Sequence, residues 1–563
     1  MENLDNDLNN WQQQYVRMLA GMFDDGLGNA IFAALTADIQ DAWQRLIVCW
    51  DSEPEKLQSI LATWQSSLEV YQASLATAGS VPAKYTEDLQ QLHANLKNCL
   101  NQVIDEAPNL LGTDHRLLGF ATRQLVNALT IENWPLTNEK VMKKAFESNG
   151  ASLVQGMQNF QEQVFNTQQA PEVKTSSEAD FLLGETIALT PGEIIYQNKL
   201  FQLIQYYPFS QEVCKQPLVI IPPWINKYYV LDLTPVDSLV QWAVRQGHTV
   251  FVLSWVDPDQ SLKDLDFDDY LKQGSRRAIE VALDVTQSDS VNLIGFCVGG
   301  LLAAITAGWM KRQNNPCINS LTLLNTMLDY SEPGDLGVFL SERILKAIDL
   351  TVGQSQILSG KHLRRTFMAI REDRMFWPYV VNNYLLGRDP KPNPMLYWNN
   401  DSTNLPYPMF KTYMHDFYLQ NKLFNDAGYN IAGQAIKVGE LDIPVFAVAS
   451  KKDHIVPWHS AFSSVAPMED VEFVLSDAGH IVGIINPPGK QRYGYWHGAI
   501  TDNLSSTDEW LKDSTHKAGS WWEHWGRWIL ALSTEKVAAR FPGAGDYVSL
   551  ESAPGSYAKK TSN

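Results

Sequence analysis

Positive charge is scarce in this 563-residue chain: 44 lysines and arginines face 63 acidic residues, a net charge of −19. That balance argues against nucleic acid as a partner, since such binding needs a basic footprint. Cysteine is also scarce. The five, Cys49, Cys99, Cys214, Cys297 and Cys317, are odd in number and form no CxxC pair. A disulfide framework is not expected, and a reducing compartment is. The first ten residues are acidic and polar, so no signal peptide is expected there. Long uncharged runs are nearly absent. One, 291–310, matches the length of a membrane span, but Asn292, Gly295, Cys297, Gly299 and Gly300 break its first half. A buried strand, a sharp turn and a buried helix fit it better.

What is present is apolar mass. Hydrophobic residues make up 45% and aromatics 11%, with 18 tryptophans, enough to fill a large core. The length calls for two or more domains at roughly 100–200 residues each. The first ~170 residues read as helical, by apolar periodicity at Trp11, Tyr15, Met18, Leu19, Met22 and Phe23, and again over 39–68 and 117–129. The 11–23 stripe suits a core face or an apolar face toward another phase. A polar stretch at 168–178 reads as a linker, so the expected division is 1–177, helical, and 178–563, catalytic. Past it, 185–206 alternates and predicts a hairpin turning at Pro191-Gly192. Buried-strand runs follow at 218–221, 249–253, 291–294, 320–325 and 445–449, with helical patterns at 238–246, 271–286 and 301–312. This alternation predicts an α/β sheet. The interval from Asn325 to Val445 is too long for a connection, so 327–440 is read as an inserted cap. Residues 510–532 predict a Trp-rich helix pair.

The sharpest chemical signal is Gly295-Phe-Cys-Val-Gly-Gly300, ending a predicted strand and opening a predicted helix. That is the setting of a nucleophile elbow, with cysteine in the usual place of serine. A helix N-terminus favours a thiolate on Cys297, and the Val298 N–H faces an oxyanion. The plainer alternative is a buried cysteine in a Gly-rich turn. An elbow requires an acid and then a histidine further along. Asp453, after the 445–449 strand, and His480, after the apolar run 471–475, satisfy the order. His454 and His459 are rival bases but lie too near Asp453, and Asp477 suits a turn. The second oxyanion donor belongs to the loop 222–227, where prolines cannot donate, leaving the N–H of Ile225 or Asn226. Asp257 and Asp259 lie on the ligand edge of a strand, where an Asx turn explains them equally well.

These residues carry a resemblance. The cysteine box, Pro222-Pro-Trp-Ile-Asn-Lys-Tyr-Tyr229, Gln246-Gly-His-Thr-Val-Phe251, Leu396-Tyr-Trp-Asn-Asn-Asp-Ser-Thr-Asn404, Asp453-His-Ile-Val-Pro-Trp458 and Gly479-His-Ile-Val-Gly483 resemble, in order, those of class I polyhydroxyalkanoate synthases. The resemblance runs from about Phe120 to the C-terminus. It implies an α/β-hydrolase-like catalytic domain under a cap, and polymerisation of (R)-3-hydroxyacyl-CoA, of short chain such as 3-hydroxybutyryl, with release of CoA. By motif position Cys297 is the covalent nucleophile, His480 the base and Asp453 its partner. Asp259 and His454 are possible accessory residues. It brings neither metal nor cofactor, the CoA thioester being substrate. It further implies a homodimer on cytoplasmic polyester granules, in contact with granule-associated proteins. A Cys-dependent thioesterase or esterase is the competing expectation. The polyanionic CoA sits awkwardly with the net charge. Lys361, Arg364, Arg365, Arg371 and Arg374 suit either a phosphate site or a solvated helix face.

Overall fold

The computed structural model describes residues 26–77, 82–164, 173–177, 180–353, 355–425, 427–501 and 506–560. The 11–23 stripe and most of the 168–178 linker lie outside them. The chain forms two compact units. The first joins Met1–Ser177 to Asp335–Thr351 and Arg365–Pro392, and the second holds the rest. The segment read as one cap is therefore divided between the units.

The first unit is built from helices α1 Gly26–Trp50, α2 Pro54–Thr77, α3 Pro82–Asp105, α4 Gly112–Ala128, α5 Glu139–Glu147 and α6 Ala151–Val164. Proline opens α2 and α3 where its missing N–H is not needed. Arg45 grips the buried Asp114 with two bonds of 2.7 Å, and the Trp50 indole donates to Val103 O at 2.9 Å. The inserted pieces belong here because they bury an apolar ridge, in which Phe376, Trp377, Val380 and Tyr384 cluster with Phe160 and Val173. Buried Glu372 accepts from Gln124 and Asn127, at 2.5 and 2.6 Å. Burial pushes its carboxyl up despite these bonds.

The second unit is organised by an eleven-stranded sheet. Its strands are β1 Gly192–Gln197, β2 Phe201–Tyr206, β3 Leu218–Ile221, β4 Val250–Trp255, β5 Val291–Phe296, β6 Ile318–Leu324, β7 Val445–Ser450, β8 Val471–Ser476, β9 Gly494–Ala499, β10 Thr515–Ala518 and β11 Glu551–Ser552. Their order across the sheet is β11-β1-β2-β4-β3-β5-β6-β7-β8-β9-β10. From β4 to β8 the pairing is parallel, and it is antiparallel on both flanks. Strands β3, β4, β5 and β7 are buried throughout, as expected of parallel strands covered on both faces. The covering helices include α7 Leu239–Arg245, α8 Arg276–Thr286, α9 Val298–Arg312 and α10 Trp522–Ala531.

Three local readings change or resolve. The hairpin turns at Asn198, whose side chain accepts from the Leu200 and Phe201 amides, not at Pro191-Gly192, where β1 begins. The helix pair at 510–532 is interrupted by β10, an exposed edge strand ended by Gly519 at φ +89°. The uncharged run 291–310 is β5, a turn and most of α9. No helix among the described residues is long and apolar enough to cross a membrane. Its awkward Asn292 is buried but satisfied, accepting from Asn319 and Ser320 and donating to Ser533.

Candidate active site

Cys297 stands between β5 and α9 with φ +53° and ψ −125°, a conformation that an L-residue adopts only under constraint. The constraint is the glycines around it. A Cβ on Gly295 would lie 2.3 Å from the Gly300 Cα. One on Gly299 would lie 2.2 Å from Ile221 O, and one on Gly300 would lie 1.9 Å from the Thr326 hydroxyl. Strand, turn and helix close on one another only without side chains at these positions. The Cys297 N–H donates to Leu324 O at 2.8 Å, tying the turn to β6.

Asp453 lies just past β7. Its Oδ1 accepts from the Ile455 and Val456 amides at 2.9 and 3.0 Å, which leaves Oδ2 facing His480 Nδ1 at 2.5 Å. The Asp453 side chain is fully buried and that of His480 is 7% exposed. The Cys297 sulfur acts on the same ring electrostatically. Burial alone would lower its pKa from the ordinary 6.5, but the Asp453 carboxylate and the Cys297 sulfur outweigh it and raise the imidazole to about 10. The resting pair is thus an imidazolium beside sulfur, held by a carboxylate whose second oxygen is fixed by backbone.

The sequence reading missed several residues that shape this site. Asn325, at φ +43°, donates from Nδ2 to His480 O at 2.5 Å and to Ser450 Oγ at 3.0 Å. It holds the histidine loop by its backbone. Phe296 stacks on the His480 ring, centroids 5.7 Å apart at 27°. Buried Tyr330 and Tyr418 and half-buried Tyr413 form a cluster with ring centroids 4.6 to 6.3 Å apart. Burial pushes all three phenols up, and interaction with Cys297 pushes in the same direction, so they surround the sulfur as neutral groups. Tyrosines scattered over ninety residues carry no spacing signal.

Val298 opens α9, where its N–H has no intrahelical acceptor. Gly299 packs on the carbonyls of Ile221 and Pro222, which sets the loop of Ile225 beside the same helix end. Thr403 pins that loop by its hydroxyl to Trp224 O (2.5 Å) and by its N–H to Ile225 O (3.2 Å). Asp259 is not joined to the Cys297–His480 pair. Its side chain caps a 3-10 turn through Ser261 and pairs with Lys560 at 3.2 Å, and the Ser261 hydrogen bonds hold it down to about 2. His454 is half-buried, and His459 is exposed against Trp458. Asp477 forms an ion pair with Lys452. In the basic group, Arg371 and Arg374 pair with Asp373, and Arg364 donates to Asn400 O. Trp521, Trp522 and Trp525 are core residues, each at most 1% exposed.

Two family profiles match the chain. One, the poly-beta-hydroxybutyrate polymerase (PhaC) N-terminus, covers residues 81–243, and the other, the alpha/beta hydrolase fold, covers 217–487. The chain is 37% identical over 472 residues to a poly(3-hydroxyalkanoate) polymerase subunit PhaC of Rhizobium meliloti, covering 84% of this chain and 77% of that one. It is 38% identical over 448 residues to the corresponding subunit of Cupriavidus necator, covering 78% and 75%. The chain belongs to the poly(3-hydroxyalkanoate) polymerase family. Poly(3-hydroxyalkanoate) polymerase 1 of Ectopseudomonas oleovorans is more distant, 32% identical over 425 residues and covering 75% of each chain. The polymerase's α/β-hydrolase fold, an acyltransferase scaffold, accounts for the sheet and the elbow.

Proposed function

We propose that the chain polymerises (R)-3-hydroxyacyl-CoA, of short chain such as 3-hydroxybutyryl-CoA, into polyester with release of CoA. Its class I character rests on the motif set. Cys297, His480 and Asp453 carry the chemistry. The observation that supports this most is the His480 imidazole, wedged between the Asp453 carboxylate and the Cys297 sulfur and raised to about 10.

In acylation, the Cys297 sulfur attacks the thioester carbonyl, and the carbonyl oxygen gathers charge toward the Val298 and Ile225 amides. The C–S bond to CoA breaks, and the departing thiolate takes the proton held by His480. The acylated sulfur is now neutral, so one of the two charges that raised His480 is gone. The imidazole falls toward the range of a general base. It then removes the proton of the growing chain's hydroxyl, whose oxygen attacks the Cys297 acyl group. The ester forms, the sulfur leaves as thiolate, and the resting pair returns. Water in place of the hydroxyl would give hydrolysis. The aromatic wall of Tyr330, Tyr413, Tyr418 and Phe417 supports exclusion of water. The reaction as written needs no cofactor.

Residence in the cytoplasm on polyester granules, a homodimer and contact with granule-associated proteins complete the reading. Exposed Ile47, Val48 and Val70 on α1 and α2 support an apolar surface contact. The deciding experiment feeds 3-hydroxybutyryl-CoA to the purified chain. Insoluble polyester alongside CoA supports the reading, whereas free 3-hydroxybutyrate in equal amount to CoA identifies a thioesterase.

A further inference from the structure

Away from the elbow, on the β8–β9 flank of the sheet, three side chains converge. Glu472 enters from the start of β8. His497 comes from β9, diagonal to it on the same face, since Glu472 pairs with Ala499 and Val474 with His497. His524 reaches down from α10. Glu472 Oε1 lies 2.7 Å from His524 Nε2 and 3.1 Å from His497 Nδ1, and the two imidazole centroids are 4.2 Å apart. All three side chains are 16 to 20% exposed. Phe446 and Tyr495 flank His524, at 5.7 and 6.1 Å. Among the described residues this is the one group of three or more His, Cys, Asp or Glu whose ligand atoms lie close enough to share an ion.

We infer that Glu472, His497 and His524 form a binding site for a divalent transition-metal ion of the zinc class, which clamps α10 onto strands β8 and β9. Two imidazoles and a carboxylate are a zinc donor set, and the half-open position leaves room for a water as fourth ligand. Zinc bonds of about 2.0–2.1 Å put tetrahedral donors about 3.3 Å apart, close to the 3.1 Å Glu472–His497 separation, and the 2.7 Å Glu472–His524 contact must open by about 0.6 Å to admit the ion. The site is not at the nucleophile, yet it acts on an element that supports it. Just before and at the start of α10, the Trp521 and Trp522 indoles donate to Gly483 O and Ile484 O, both at 2.8 Å, in the turn that follows His480.

The test uses the full chain stripped with EDTA and titrated with zinc chloride, read by calorimetry and by thermal unfolding. Expected are one bound ion per chain and a raised midpoint. His497→Ala and His524→Ala should abolish both, and Glu472→Gln should weaken binding by more than the roughly 10–100-fold typical of an outer-shell partner. A cobalt-loaded, unmodified chain provides a measurement that does not depend on variants folding. Its X-ray absorption should show two imidazole ligands and oxygen. No stoichiometric binding, binding untouched by the three substitutions, or a cobalt shell without two imidazoles would overturn the inference and leave a hydrogen-bonded triad.

Discussion

Of the four cysteines other than Cys297, two have thiols raised by burial. Burial pushes the Cys317 thiol up to about 11 and raises that of Cys99, so neither offers a thiolate at neutral pH. Cys297→Ala is therefore expected to abolish CoA release, and mass spectrometry of the quenched enzyme should find the acyl group on Cys297 alone. An active alanine variant would remove the assignment. Asp453→Asn separates the two halves of the cycle. Acylation uses a thiol, a stronger nucleophile than any alcohol, whereas transfer to a secondary hydroxyl needs full base assistance, worth about 10²–10⁴ in rate. A burst of CoA with little polymer is expected in rapid-quench experiments, and equal loss in both steps would contradict it. The same pair leaves a signature in stability. His480 is raised from 6.5 to about 10 on folding, so its contribution is complete below pH 6.5 and is lost as pH climbs toward 10. In Asp453→Asn that decline should flatten, as urea titrations at pH 6.5 and 9.5 would reveal.

At the scale of elements, the elbow depends on backbone meeting backbone. Gly299 packs against the carbonyls of Ile221 and Pro222, which no rotamer change can move aside. Gly299→Ala must push α9 away from β3, the strand that leads into the Ile225 loop. Overpacking of this kind costs about 1–3 kcal/mol, and kcat should fall further than stability because the Val298 amide moves with the helix. Circular dichroism melts alongside steady-state kinetics check this. A variant with unchanged kcat would show that the helix end does not serve the oxyanion. By contrast Gly489 has no atom within 4 Å of an added Cβ, and Gly489→Ala is a control expected to leave both unchanged.

For the whole molecule, the division into units changes what a truncation does. The helices of 1–177 do not make a unit alone, because segments 335–351 and 365–392 complete it. Deleting 1–177 would uncover Phe376, Trp377 and Tyr384, at about 1.5–3 kcal/mol for each large side chain. The shortened chain is expected to aggregate or to melt well below the full one in light-scattering and thermal assays. A shortened chain with an unchanged melting point would mean that the inserted segments fold without their partners.

Much of this was legible in the amino-acid order, for a local reason. Buried parallel strands are runs of apolar residues, and an elbow is one contiguous hexapeptide, so β3 to β8 and Cys297 can be read without coordinates. Asp453 and His480 follow from chain order, because each must sit at the end of the next available strand. The turn at Asn198 and the strand β10 were misread, since a side-chain cap and an edge pairing depend on what lies opposite. Only the tertiary structure decided the rest. Asn325 holding His480, the phenols around the sulfur, the unit to which 335–351 and 365–392 belong, and the meeting of Glu472, His497 and His524 join residues far apart in sequence. Such contacts arise from packing of whole elements and leave no periodicity to read.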